Sequence, residues 1–494
     1  MELQTFRNTV AGQEVESASG RWLASANPFT GQDWSRIPRC DSEDVERAVM
    51  AAHSAFVSGD WPRMTATARG KLLRRLADLI ERDAAKLAAL EVRDNGKLHA
   101  EMLGQVKYLP EYYHYFGGLA DKVEGSVLPS DKPDMFTYTK HEPLGVVVCI
   151  TPWNSPLLLL TWKLAAALAA GNTVVIKPSE FTSASTLAFA GLFREAGFPD
   201  GVVNTVTGYG HEIGDALVQH PKVAKIAFTG GDATGARVYA GAAKSLKHVA
   251  LELGGKSPNI IFEDAVLDDA VKGAISGIFA ASGQTCIAGS RLLVQRSVYD
   301  EVTSRVVAFA STARMGDPMQ PDTQVGPITT TAQREKVLDY IRIARDEGAR
   351  CVLGGKVPED PSLAEGWFVE PTIFADVSND MRIAREEVFG PVLSIIPFED
   401  EADAIRIAND TIYGLAAGVW TQDMRRAITM ADALQAGTVW VNTYRAVSFL
   451  APFGGYKQSG IGRENGQEAI HEFMQTKCVW LSLSRGVPNP FVLR

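Results

Sequence analysis

Cys286 is the residue in this chain best suited to covalent chemistry. It lies among small residues in Ser282-Gly283-Gln284-Thr285-Cys286-Ile287-Ala288-Gly289-Ser290-Arg291, after a helix-like run from Asp268 to Ala281 that Gly283 interrupts. A thiol at such a break, with glycine three residues to either side, can approach a ligand closely. A thiol kept for packing sits more often inside an apolar run, and Cys149, within Gly145–Ile150, is read that way. Upstream, Leu251-Glu252-Leu253-Gly254-Gly255-Lys256 sets a carboxylate at the end of a strand-like run, followed by two glycines. A soft nucleophile and a carboxylate base are the groups that covalent acyl chemistry requires.

Other loops carry chemistry less decisively. In Thr151-Pro152-Trp153-Asn154-Ser155-Pro156 the prolines fix the loop, and the Asn154 amide can either face a developing oxyanion or cap the next helix. The oxyanion role is worth about 3 kcal/mol where measured. Phe228-Thr229-Gly230-Gly231-Asp232-Ala233-Thr234-Gly235 ends a strand in two glycines and opens a helix, whose free N–H groups can hold a pyrophosphate. Lys177-Pro178-Ser179-Glu180 ends another strand and reads as a ribose contact or a solvated turn. Gly208-Tyr209-Gly210-His211-Glu212-Ile213-Gly214 fits a cofactor loop or an ordinary α/β turn. The segments Arg385–Pro391 and Pro452–Gly460 read alone as turns.

The elements that must position these groups follow from periodicity. Helical patterns cover 42–58 and 68–100. Short apolar strands then follow at Gly145–Ile150, Thr173–Ile176, Val202–Val206, Lys225–Phe228 and His248–Leu251, with helices near 157–170, 182–196, 211–219 and 233–245 between them. That alternation predicts parallel βαβ units and a doubly wound nucleotide-binding sheet. A second α/β pattern begins after Gly255, with strands at Asn259–Phe262, Leu292–Gln295 and near 393–397, 415–420 and 438–442, and a helix at 298–313. Cys286 therefore falls in the second unit and Glu252 at the join, which predicts a site in the cleft between them. Met135–Lys140 and Cys478–Ser484 alternate like edge strands, which implies a partner subunit.

With 494 residues the chain exceeds a single core, so two or three domains are expected. A net charge of −9 with no basic run argues against nucleic acid. The five cysteines are scattered and form no CxxC pair, so zinc or any other metal is not expected, and reduced thiols in a cytoplasmic setting are. The N-terminus lacks a signal-peptide core. The most apolar stretch, Gly145 to Ala170, is broken by Pro152, Asn154, Pro156 and Lys163, so no membrane span is expected.

Taken in order, Trp153-Asn154, Lys177-Pro178-Ser179-Glu180, Phe228-Thr229-Gly230, the Glu252–Lys256 segment, Gly283-Gln284-Thr285-Cys286, the Glu387–Pro391 segment and the Pro452–Lys457 segment closely resemble the NAD(P)-dependent aldehyde dehydrogenase superfamily, from about residue 20 to 484. The resemblance implies an aldehyde dehydrogenase-like α/β fold. Its parts would be a Rossmann-type NAD-binding domain (1–122 and 144–253), a catalytic domain (254–466) and a small β oligomerisation arm (123–143 and 467–494), assembled as a homodimer or homotetramer. It implies Cys286 as nucleophile, Glu252 as general base, Asn154 and the Cys286 N–H as oxyanion hole, and Lys163 and Glu464 as a supporting relay. For NAD, preferred over NADP, it implies Thr151, Pro152, Trp153, Lys177, Ser179, Glu180, Gly210, Phe228, Thr229, Gly230, Gly231, Gly235, Leu253, Glu387 and Phe389. For the substrate tunnel it implies Ser155, Leu159, Trp162, Ala280, Thr285, Ile287, Arg445, Val447 and Phe453.

Departures bear on specificity. Gly231 replaces a frequent serine. Ser155, Ala280 and Val447 stand where aromatics are frequent, so the tunnel is expected to be wider or more polar than one for simple alkyl aldehydes. Arg445 lies in the segment matching the loop through which substrate enters, where it could pair with the carboxylate of a semialdehyde or serve structure alone. The implied reaction is oxidation of an aldehyde, a semialdehyde or another polar or bulky one, to a carboxylic acid. The competitors are a coenzyme A-acylating relative, against which Glu252 argues, and a silent protein of the same fold, against which Cys286 argues.

Overall fold

The computed structural model describes residues 3–486 and 489–491. The ends of the expected first domain and arm, residues 1–2, 487–488 and 492–494, lie outside the described residues.

The first sheet forms as the alternation predicts. Its parallel strands are β1 (Val146–Ile150), β2 (Thr173–Lys177), β3 (Val203–Thr205), β4 (Val223–Thr229) and β5 (His248–Glu252), in the order β3-β2-β1-β4-β5. The order reverses between β1 and β4, so their C-terminal ends frame a crevice. Helices α1 (Pro156–Ala170), α2 (Ala184–Ala196), α3 (Gly210–Gln219) and α4 (Asp232–Ala243) connect the strands. Both faces are covered, which is why β1 is apolar throughout, β2 is apolar between Thr173 and Lys177, and both are wholly buried. The short strand Gly460–Ile461 closes the far edge antiparallel to β5. It ties the end of the chain to the strand that carries Glu252.

The second sheet has seven strands. They are β6 (Pro258–Ile261), β7 (Arg291–Gln295), β8 (Arg350–Leu353), β9 (Thr372–Ala375), β10 (Val392–Phe398), β11 (Ala416–Trp420) and β12 (Thr438–Val441), in the order β8-β9-β10-β7-β6-β11-β12. Only the β8–β9 pair is antiparallel. Helix α5 (Leu267–Phe279) runs from β6 to the cysteine loop.

The two edge-like segments pair with each other. Met135–Pro143 lies antiparallel to Met474–Ser482 along its whole length, with Val127–Leu128 on its other side. This ribbon exposes Val127, Phe136, Trp480, Leu481 and Leu483.

Three readings need correction. The helix expected over 68–100 ends at Asn95, where Gly96 adopts φ +72° and caps it, and a second helix, His99–Leu119, follows. Pro110 inside that helix masks its pattern. The strands Trp22–Asn27 and Gln32–Pro38 and the helix Thr331–Asp346 were not anticipated. The break before the sulfur begins at Ala280, not at Gly283: Ala281, Ser282 and Gly283 are all left-handed, at φ 55°, 52° and 69°.

Candidate active site

The cysteine loop is held from several sides. Gln284 lies at its centre: its side-chain carbonyl accepts from Thr329 N at 2.9 Å, and its amide donates to Pro327 O at 3.3 Å. Ala281 N donates to Glu101 Oε1, and Tyr444 Oη donates to Ile287 O at 3.1 Å. The flanking glycines serve this packing rather than ligand approach. A Cβ on Gly283 would lie 2.0 Å from Gly390 O, and one on Gly289 would lie 2.9 Å from Tyr444 Oη. Gly255 does the same from the β5 side, where a Cβ would meet Cys286 O at 2.7 Å.

Asn154 reaches this loop from the end of β1. Its Nδ2 donates to Gln284 O at 3.0 Å, which fixes the amide and leaves its second N–H unspent beside Cys286. The half-buried Cys286 thiol is pushed up to about 12 by burial, with the Glu387 and Glu252 carboxylates adding and the Ile287 N–H and Lys97 opposing. It rests as a thiol.

Glu252 ends β5. Its side chain is buried and lines neither of the two cavities that meet at the sulfur. Burial raises its carboxyl well above the ordinary range, with Glu464 adding and Lys163 opposing. Behind it Lys163, fully buried on α1, donates to Glu464 Oε1 and to Thr229 Oγ1, each at 2.5 Å. The expected relay pair therefore exists as a buried ion pair next to Glu252.

Cys286, Asn154 and Leu159 line both cavities. The larger, about 500 Å³, runs along the C-terminal ends of the first sheet to the sulfur. Of the predicted cofactor residues it is lined by Thr151, Pro152, Trp153, Lys177, Ser179, Glu180, Gly210, Phe228, Thr229, Gly230, Gly231, Leu253, Glu387 and Phe389. Gly235 does not line it; a Cβ there would lie 2.4 Å from Leu253 Cδ2, so its role is close helix–strand packing. Lys177 Nζ pairs with Glu180 Oε2 at 3.2 Å at the far end. At the sulfur end Glu387 Oε1 accepts from Gly255 N at 3.0 Å, and Phe389 stands edge-on to Trp153. A Cβ on Gly254 would lie 2.6 Å from Glu387 Oε2, so that carboxylate needs the bare backbone of Gly254. Gly230 and Gly231, which lead into α4, line the same cavity, and at that helix start Asp232 Oδ1 accepts from Ala233 N at 2.8 Å. An elongated cleft with a carboxylate–lysine pair at one end, a glycine-led helix start and an aromatic clamp at the thiol matches the parts of a dinucleotide.

The smaller cavity, about 360 Å³, opens on the other side of Cys286. Ser155, Leu159, Trp162, Thr285, Ile287, Arg445, Val447 and Phe453 line it as predicted; Ala280 does not. Sequence reasoning missed Lys97, Gln105, Tyr108 and Ser276 on its wall. Asn95-Gly96-Lys97 reads locally as nothing more than a helix end, and only the packing of α1 against the two preceding helices brings Lys97 to the site.

The family model described as the aldehyde dehydrogenase family matches residues 15–479. This chain belongs to the aldehyde dehydrogenase family. The dehydrogenase is 47% identical to the (Z)-2-((N-methylformamido)methylene)-5-hydroxybutyrolactone dehydrogenase of Acinetobacter baylyi, over 100% of both chains. Among solved structures it resembles a betaine aldehyde dehydrogenase from Staphylococcus aureus in complex with NAD+, with a TM-score of 0.97 and 42% identity over 98% of this chain and 96% of that one. An NAD+ complex of an aldehyde dehydrogenase from Bacillus cereus matches with a TM-score of 0.95 and 44% identity, over 97% of each chain. Among the described residues no helix is long and apolar enough to cross a membrane.

Proposed function

We propose that this dehydrogenase oxidises a polar aldehyde to a carboxylic acid through a thioester on Cys286, with NAD+ as oxidant and water as acyl acceptor. The observation that carries this reading is the position of Cys286 at the junction of the two cavities, with Asn154 beside it and Glu252 close behind. The Cys286 thiol gives its proton to solvent water, the sulfur adds to the aldehyde carbon, and the free Asn154 N–H with the Cys286 N–H receives the oxyanion. Lys177, Glu180, Gly230, Gly231 and Glu387 would hold NAD+ in the larger cavity, where it would supply the acceptor for the hydride of the tetrahedral carbon. Trp153 and Phe389 close that end against water, and Glu387 holds its position through Gly255. For hydrolysis Glu252 turns out of its buried site toward the sulfur. There it escapes the burial that raises its carboxyl and, as the carboxylate, takes the proton of an attacking water. Collapse of that adduct breaks the C–S bond and returns the thiol and the carboxylic acid. Glu180, near the adenosine end, favours NAD+ by repelling a 2′-phosphate.

The name of one relative supports a polar substrate. The name of the Acinetobacter protein denotes a hydroxybutyrolactone, a polar molecule. We further propose the division into cofactor domain, catalytic domain and arm, a homo-oligomeric assembly through the arm, and a cytoplasmic setting. A panel of aldehydes followed by NADH absorbance tests the reaction. Cys286→Ala should lower turnover to below about a thousandth while still binding NAD+, and residual turnover above that level would remove Cys286 from the mechanism.

A further inference from the structure

Lys97 presents a charge that the fold leaves unanswered. Its side chain is 2% exposed, and among the described residues no carboxylate oxygen lies within 4.0 Å of its ammonium. Nζ donates one hydrogen bond, to Ser155 Oγ at 3.0 Å, so two of its three N–H groups are unspent. The nearest acids make no contact with it: Glu91 Oε1 accepts from Leu157 N and Glu101 Oε1 from Ala281 N, while Glu101 Oε2 is buried without a partner and acts on Lys97 only at longer range. A buried, unpaired ammonium is costly, and burial with the neighbouring Arg445 charge pulls Lys97 down to about 8 despite Glu91, Glu101 and Cys286.

Lys97 and Ser155 both line the 360 Å³ cavity that ends at Cys286, and Arg445 lines it too. The Arg445 guanidinium spends one N–H, on Ser276 O at 3.3 Å, and its backbone is held at φ +66°. Gln105, on the same wall, has a buried Oε1 with no partner. The wall thus combines two cations and a hydroxyl whose own proton is uncommitted with one unpartnered amide oxygen, and no carboxylate lines the cavity.

We propose that Lys97, Ser155 and Arg445 form an anion-binding subsite, and that the aldehyde oxidised at Cys286 carries a carboxylate. One carboxylate supplies what the wall lacks, a negative charge and acceptors for the unspent donors. The proposal rests on Cys286 being the site of aldehyde addition. Ser155 is central because its small side chain lets Lys97 reach the cavity and shares the bound oxygen.

The test compares 4-oxobutanoate with butanal, and 5-oxopentanoate with pentanal, by kcat/KM with NAD+. Betaine aldehyde serves as the probe of opposite charge, and the substitutions are Lys97→Met and Arg445→Gln. The carboxylates should be preferred by at least about tenfold in the native enzyme, with betaine aldehyde the poorest. Each substitution should cut the preference by about tenfold, chiefly through KM. Glutarate should raise the melting temperature of the native enzyme, less so that of either variant. Lys97→Met should melt no lower than the native enzyme, because it removes an unpaired buried charge; a large loss would mark the lysine as structural and overturn the proposal. Equal kcat/KM for charged and neutral aldehydes, or a preference that survives both substitutions, would also overturn it. If no aldehyde is oxidised, the reaction assigned to Cys286 fails instead, and the glutarate shift and its loss in the variants still decide whether the anion subsite exists.

Discussion

At the residue scale, the resting protonation of the two reacting side chains sets the pH behaviour. The thiol of Cys286 is pushed up to about 12, and the carboxyl of Glu252 is raised well above its ordinary value. Both shifts favour the proton-bound form, and both groups act after losing a proton. Activity should therefore rise with pH, the thiolate fraction growing about tenfold per unit below the thiol's own value. A kcat/KM profile that climbs between pH 7 and 9 is expected, whereas a flat one would mean that bound cofactor has already ionised the sulfur. Glu252→Gln removes the base for deacylation while leaving the sulfur in place. A burst of NADH should then precede a steady rate lowered by at least about a hundredfold. If the burst falls in proportion to the steady rate, Glu252 acts on the thiol rather than on water.

At the element scale, the site is a junction of loops whose glycines let them meet. Gly283 belongs to three consecutive left-handed residues and touches Gly390, next to the Phe389 that stands against Trp153. Gly283→Ala adds left-handed strain and forces the cysteine loop away from the Glu387–Gly390 loop. It should cost at least about 2 kcal/mol of stability and more than tenfold in kcat. Gly118, near the end of the helix His99–Leu119, has nothing within 4 Å of an added Cβ. Gly118→Ala should be neutral or stabilising by about 0.5–1 kcal/mol. Urea midpoints and steady-state rates of the two variants separate a shape requirement from a general intolerance of larger residues.

At the scale of the whole molecule, the paired strands Met135–Pro143 and Met474–Ser482 form a ribbon apart from both main sheets. Trp480 and Leu481 on it are about half exposed, at 54% and 47%, more apolar surface than a finished monomer edge ordinarily offers. Truncation after Phe473 would leave Met135–Pro143 without its long partner. If the arm joins subunits, as proposed above, light scattering after size exclusion should show the truncated protein at a lower mass than the full chain. An unchanged mass would place the subunit contact elsewhere.

The amino-acid sequence determined the parts that depend on local pattern. Period-2 apolar runs and the helices between them marked the five parallel strands of the first sheet to within one or two residues. The order of short motifs marked Cys286, Glu252, Asn154 and fourteen residues that line the larger cavity, but not others on its wall such as Arg237, Gln333 and Lys336. What escaped depended on contacts distant in sequence. The role of Gly235 is a contact with Leu253, and the turn of Glu252 toward Glu464 and away from either cavity is a matter of burial. Lys97 carries no local signal at all. The tertiary structure alone decided that its ammonium meets Ser155, because two helices and a loop must pack before residues 97, 155, 286 and 445 can share one cavity.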